Sequence, residues 1–203
     1  MRNQKGVPSL RGKVPIVTGL ALSEGVFGSH HAVLTVPADC PIREFQPLVD
    51  LWFSQSNGGI PDFQKFDVLD VLPSLWAHLI LVKTVGPRRR LFYELVGDAI
   101  ERHNGFSANK RYLDVLPLKN KSLMAREFAR TIQSGRPVFS TSAYIGRVNY
   151  VRRVYRVIAP YKLGADQYAF VALAFFTPIA GKEERLEDAT FAVPEGLTDL
   201  ALD

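Results

Sequence analysis

Asp67 and Asp70 stand three residues apart in Phe66-Asp67-Val68-Leu69-Asp70-Val71, a spacing at which they resemble a carboxylate pair for acid–base chemistry. Capping of short turns is the simpler use of the same residues. His30 and His31 have no cysteine or carboxylate at metal-ligand spacing and read as surface or turn histidines. His78 begins a strand-like run, and His103 precedes Gly105 by two residues. Cys40 is the single cysteine, so no internal disulfide forms and a reduced compartment is expected. Arg147, Arg152, Arg153 and Arg156 surround Tyr150 and Tyr155, and Arg88 to Arg90 form a basic turn; arginine interleaved with aromatics can follow phosphates and stack bases. A nucleic-acid or anionic-surface binder acting through this hairpin is therefore an alternative function, although adjacent Arg152 and Arg153 point to opposite faces of a strand. The chain has no Gly-x-Ser-x-Gly elbow, no Gly-Lys-Ser/Thr phosphate loop and no His-Glu-x-x-His pair, and the expectation is that it is not an enzyme.

Those residues need a scaffold, and 203 residues with 47% apolar content suit one domain with appended ends. No stretch approaches the roughly 18 apolar residues of a membrane span. The apolar patch from Val14 to Leu22 follows basic residues but is broken by Pro15, Thr18 and Gly19, so it is not taken as a signal peptide and a cytoplasmic location is expected. Residues 1–41 read as a partly ordered extension, in which His30 to Val36 could form a strand. Residues 42–178 carry the domain. Residues 179–203, with seven acidic and two basic side chains, read as a solvated acidic tail.

The domain opens with a helix from Gln46 to Ser56, Pro47 in its first turn. Leu48, Val49, Leu51, Trp52 and Phe53 spread over about 200° of its circumference, roughly twice the usual stripe. Two layers of the same chain could bury that arc; a homodimer joined through Leu48, Val49, Trp52 and Phe53 is the expectation preferred here. Leu79 to Val85 and Leu91 to Val96 form a first hairpin. Asp98 and Glu101 then make an Asp-x-x-Glu capping box for a short helix that Gly105 stops. Met124, Phe128 and Ile132 mark an amphipathic helix from Lys119 to Ser134. Val138 to Ile145 and Tyr150 to Ala159 form a second hairpin. Tyr168 to Thr177 is apolar on both parities, which requires a central strand covered on both faces.

This order, together with Phe66-Asp67-x-Leu69-Asp70-Val71, Phe92-Tyr93-Glu94-Leu95-Val96-Gly97, Tyr112-Leu113-Asp114 and Ser134-Gly135-Arg136-Pro137-Val138, resembles the PAS-domain superfamily, in particular a bacterial branch of short PAS-like proteins with little beyond the domain. The resemblance covers about residues 42–178. It implies an α+β fold, with a five-stranded antiparallel sheet, helices on one face and an N-terminal flanking helix. It also implies a role in sensing or partner binding in signal transduction, with no fixed ligand. Lys110 departs from a position where the family tends to have glycine. A flavin–cysteinyl photoreceptor would need a cysteine in the helical segment, and Cys40 precedes the core. Haem would need an axial ligand such as His103, whose simpler role is to end its helix as a cation at the carboxyl terminus. Tyr93, Tyr112, Phe128, Tyr144 and Tyr155 are the candidate lining residues for a small apolar or amphipathic ligand held between sheet and helices.

Overall fold

In the computed structural model, the described residues are 23–25, 29–144 and 151–178. The apolar patch from Val14 to Leu22, the acidic tail, Arg147 and Tyr150 lie outside them, as does the side chain of Arg152. The elements are β1 (Ser23–Gly25), β2 (Ser29–Val33), α1 (Gln46–Ser56), β3 (Leu79–Val85), β4 (Arg90–Val96), α2 (Asp98–Asn104), β5 (Arg111–Tyr112), α3 (Lys121–Ser134), β6 (Val138–Ala143), β7 (Val151–Lys162) and β8 (Tyr168–Pro178). The strands form one antiparallel sheet in the order β1-β2-β6-β7-β8-β3-β4-β5. The sheet is therefore eight-stranded where five strands were expected: β1 and β2 add to the β6 edge, and two-residue β5 adds to β4. Part of the N-terminal extension is thus built into the sheet, with His31 opposite Ser140 and Ala32 opposite Phe139.

β8 lies between β7 and β3, the interior place its two-sided apolar pattern demands. Its odd residues Ala169, Val171, Leu173 and Phe175 join Tyr155, Val157, Ala159 and Tyr161 of β7 in one core, covered by α1. The even residues Phe170, Ala172, Ala174 and Phe176 join Ile158, Ile80 and Tyr93 in a second core, covered by α2 and α3. Helices α2 and α3 therefore share one face and the flanking helix α1 covers the other, as a strand apolar on both parities requires.

Leu48, Val49 and Trp52 are fully buried in the first core, and Phe53 is half-buried against it. The Trp52 indole donates to the Pro160 carbonyl at 2.6 Å. The sheet of the same chain absorbs the arc that suggested a dimer through α1, so these three residues offer no surface to a second copy. Trp52 and its neighbours serve the core.

Gly97, in extended backbone at φ −64°, is the N-cap of α2, and no side chain caps that helix. Asp98 is its first helical residue and pairs with Arg102 at 3.2 Å. The expected capping box is thus not formed. Glu101 instead gathers the loop after the helix: its Oε1 accepts from Ser107 Oγ at 2.7 Å, the Ala108 amide at 3.0 Å and Asn109 Nδ2 at 2.7 Å. These bonds hold the Glu101 carboxyl below its ordinary pKa against the upward pull of burial. Gly105 ends the helix in the left-handed region at φ +70°, as its position predicts.

Lys110 also sits in the left-handed region, at φ +58°, and its amide donates to the Tyr93 carbonyl at 2.8 Å. A side chain resists this conformation by about 1–2 kcal/mol, whereas glycine adopts it freely. Lys110→Gly and Lys110→Ala both remove the ion pair of Lys110 with Glu94. Denaturant titration of the two variants should place the glycine form about 1 kcal/mol above the alanine form. Equal stabilities would show that the backbone relaxes out of the left-handed region.

Candidate ligand cavity

The second core is incompletely filled. A cavity of about 70 Å³ lies between this face of the sheet and the wall formed by α2, its following loop and α3. Ile80, Val154, Ala174 and Phe176 form the sheet side, and Ile100, Leu116 and Met124 the helical side. At about 10–15 Å³ per water, that is room for on the order of five waters or a molecule of similar size. Drug-sized pockets run to several hundred cubic ångströms.

Polar groups reach this apolar space from few directions. Tyr93, Asn104, Asn120, Tyr144 and Arg156 line it. Burial pushes the Tyr93 hydroxyl above its usual range, keeping it a protonated phenol. Tyr144 donates its hydroxyl hydrogen to the His103 carbonyl, tying the end of β6 to the end of α2. Arg156 is 5% exposed; its Nε and Nη2 donate to the two Glu127 carboxylate oxygens at 3.0 Å each, and Nη2 also donates to Ser142 Oγ at 3.0 Å. Glu127 is equally buried. This bidentate pair joins α3 to the middle of the sheet at the cavity wall.

The expected lining residues divide by strand parity. Tyr93 and Tyr144 line the cavity. Tyr155 is on the other face, where it packs against Phe139, so it is not a lining residue. Phe128 is in the correct core but fills it against Phe170, ring centres 4.9 Å apart, and Tyr112 lies at the sheet edge against Phe92 and under the Arg90 guanidinium. Neither lines the cavity. Arg156, expected in a basic surface strip, is interior and neutralised, which removes one arginine from that strip. In the basic turn, Arg89 pairs with Asp166 and Arg90 with Asp114, both at 2.7 Å.

His103 does not line the cavity either. Its ring stacks on Phe176 at 4.2 Å with the planes 1° apart, and its Nδ1 donates to the Ala99 carbonyl at 2.8 Å. With a cavity this small and the histidine held to its own helix, the residues present do not fit haem. Cys40 packs against the α1 core, on the opposite face from the cavity, and burial pushes its thiol up to about 11. A cysteinyl adduct with a cavity ligand has no nucleophile there. Asp67 accepts from the Leu69 amide at 2.9 Å, turn chemistry of the kind its sequence setting suggests.

Burial also lowers the pKa of His103 and of His78, the latter stacked on Phe175 and bonded through Nδ1 to the Ala174 carbonyl at 3.1 Å. His103 therefore ends α2 as a neutral ring near neutral pH, not as the cation expected. Unfolded histidine takes up a proton below about pH 6.5, whereas the folded form resists it. Stability is then fully present above that pH and falls as pH drops toward the depressed folded values, by at most about 1.4 kcal/mol per pH unit for each histidine. Urea midpoints at pH 7.5 and 5.5 should show the loss, to which the lowered pKa of half-buried His31 adds, and His103→Gln should remove part of it. An unchanged midpoint in the wild type would mean that the rings protonate in place.

Glu127 and Asn120 escape a reading by residue type, because a charged or amide side chain suggests surface. The available signal was positional: Glu127 falls within the inward stripe of Leu123, Met124, Phe128 and Thr131, and Arg156 alternates with Val154 and Ile158. Compared with known proteins, the chain matches no family model and no curated protein sequence.

Proposed function

We propose that the chain is a PAS-like sensory module of bacterial signal transduction, which binds a small ligand in the cavity beneath α2 and α3 and performs no catalysis of its own. The observation that carries this reading is the cavity itself. It is mostly apolar, has a few convergent polar groups, and is walled by the segment between the first hairpin and α3. The strand order supports the PAS-like part: within the larger sheet, β4-β3-β8-β7-β6 puts the last strand between the two hairpins. Because the Arg156–Glu127 pair ties α3 to β7 beside the cavity, a ligand that shifts Arg156 would move α3 relative to the sheet. That displacement would be the signal passed to a protein partner.

Native mass spectrometry after incubation with the low-mass fraction of a bacterial extract tests the reading and reports oligomeric state in the same spectrum. A bound mass that disappears under denaturing conditions is expected. Identical apo spectra before and after incubation would count against the sensory reading.

A further inference from the structure

The cavity's polar groups also restrict the chemical class of its ligand, an inference that rests on the ligand-binding reading above. Arg156 carries the cavity's cationic charge, but Glu127 already neutralises it through two 3.0 Å hydrogen bonds. An anion could reach the guanidinium only by breaking that pair, or by placing its own charge close to the Glu127 carboxylate where water does not screen it. What Arg156 retains is a donor: Nη1 makes no hydrogen bond among the described residues. Asn120, on the loop entering α3, supplies the complement. Its side-chain Oδ1 is buried and accepts no hydrogen bond among the described residues, and the residue lines the same cavity. A buried acceptor without a donor carries a desolvation penalty that a ligand N–H or O–H would remove.

The geometry points to a small neutral ligand with a compact apolar body and an adjoining acceptor and donor, as in a primary carboxamide, its carbonyl accepting from Arg156 and its N–H donating to Asn120. The apolar body lies against Ile80, Met124 and Phe176. The volume confines it to a few non-hydrogen atoms beyond the polar group.

Three isosteric probes separate the possibilities: isobutyramide offers acceptor and donor, isopropyl methyl ketone an acceptor only, and isobutyrate a charge. Nitrogen–proton correlation spectra of the labelled protein, titrated at neutral pH, read binding at the Asn120 side-chain amide and the Arg156 Nε–H. Isobutyramide should give saturable shifts at both signals, bind about ten-fold more tightly than isobutyrate, and bind several-fold more tightly than the ketone. Asn120→Leu should erase the amide–ketone difference. The wild-type ratio stands by itself if that variant does not fold. Isobutyrate binding as tightly as the amide, or the ketone equalling it, would overturn the ligand class while leaving the cavity as the binding site. Absence of saturable shifts with all three would overturn the class and the ligand-binding reading together.

Discussion

Replacing Glu127 with leucine is expected to cost about 3–5 kcal/mol of folding stability, because it leaves the Arg156 guanidinium buried without its counter-charge. Arg156→Met should cost a similar amount by stranding the Glu127 carboxylate. The double variant is expected to recover most of the loss, since two apolar side chains need no compensation and a buried pair contributes little net stability of its own. Ser142 Oγ also loses the Arg156 donor in the double variant, which limits the recovery. Urea titration of the four proteins gives the coupling directly. Single-variant losses below about 1 kcal/mol would mean that water reaches the pair, as it does in surface ion pairs. The double variant also separates stability from function: it should fold and yet bind isobutyramide more weakly, because the Arg156 donor is gone.

Gly97→Ala should be about as damaging, for a steric reason. A Cβ at Gly97 would lie 2.2 Å from the Ala77 carbonyl oxygen, 2.4 Å from its carbon and 2.5 Å from the Trp76 oxygen. All three are backbone atoms, so no side chain can swing aside. The contact arises because the Gly97 amide donates to the Leu79 carbonyl at 2.8 Å, drawing the end of β4 against the turn that opens β3. Either that turn or α2 must move, and both support the second core. The expected loss is at least about 3 kcal/mol, toward the upper end of overpacking effects. Gly59→Ala is the control, with nothing within 4 Å of the added carbon and no left-handed φ, and it should be near neutral. A Gly97→Ala midpoint matching that control would place the β4–α2 junction further from Ala77 than described.

These two positions show what the sequence carries and what it withholds. Hydrophobic period and turn residues were sufficient for α1, whose observed bounds match the expected ones, and for the first hairpin. β8 could be placed centrally because Ala169 through Phe176 leave no polar face. The two cores were harder to separate. A shift of one residue exchanges the faces of a strand, so Tyr155 could be assigned to the cavity side until the pairing Tyr155–Phe175 fixed its parity. The capping box failed for a local reason: Glu101 has better donors in the following loop, which sequence spacing does not bring together. Glu127 and Arg156 lie 29 residues apart, and their pairing depends on how α3 crosses β7. No local pattern encodes that crossing. The close approach at Gly97 is of the same kind, since its partner backbone belongs to a turn about twenty residues earlier.

Methionine labelling offers a direct view of the cavity, since the chain has only Met1 and Met124, and Met124 lines it. Protein carrying ¹³C in its methionine methyl groups should give two signals, with Met1 serving as the internal reference. Titration with the low-mass bacterial extract, and with isobutyramide, should shift the Met124 methyl saturably and leave Met1 in place. Ala143→Leu, which adds bulk at an exposed position on the cavity lining, should weaken that response while the protein remains folded. A Met124 signal unmoved by either addition, in protein that native mass spectrometry shows to be ligand-bound, would contradict the assignment of this cavity as the sensory site.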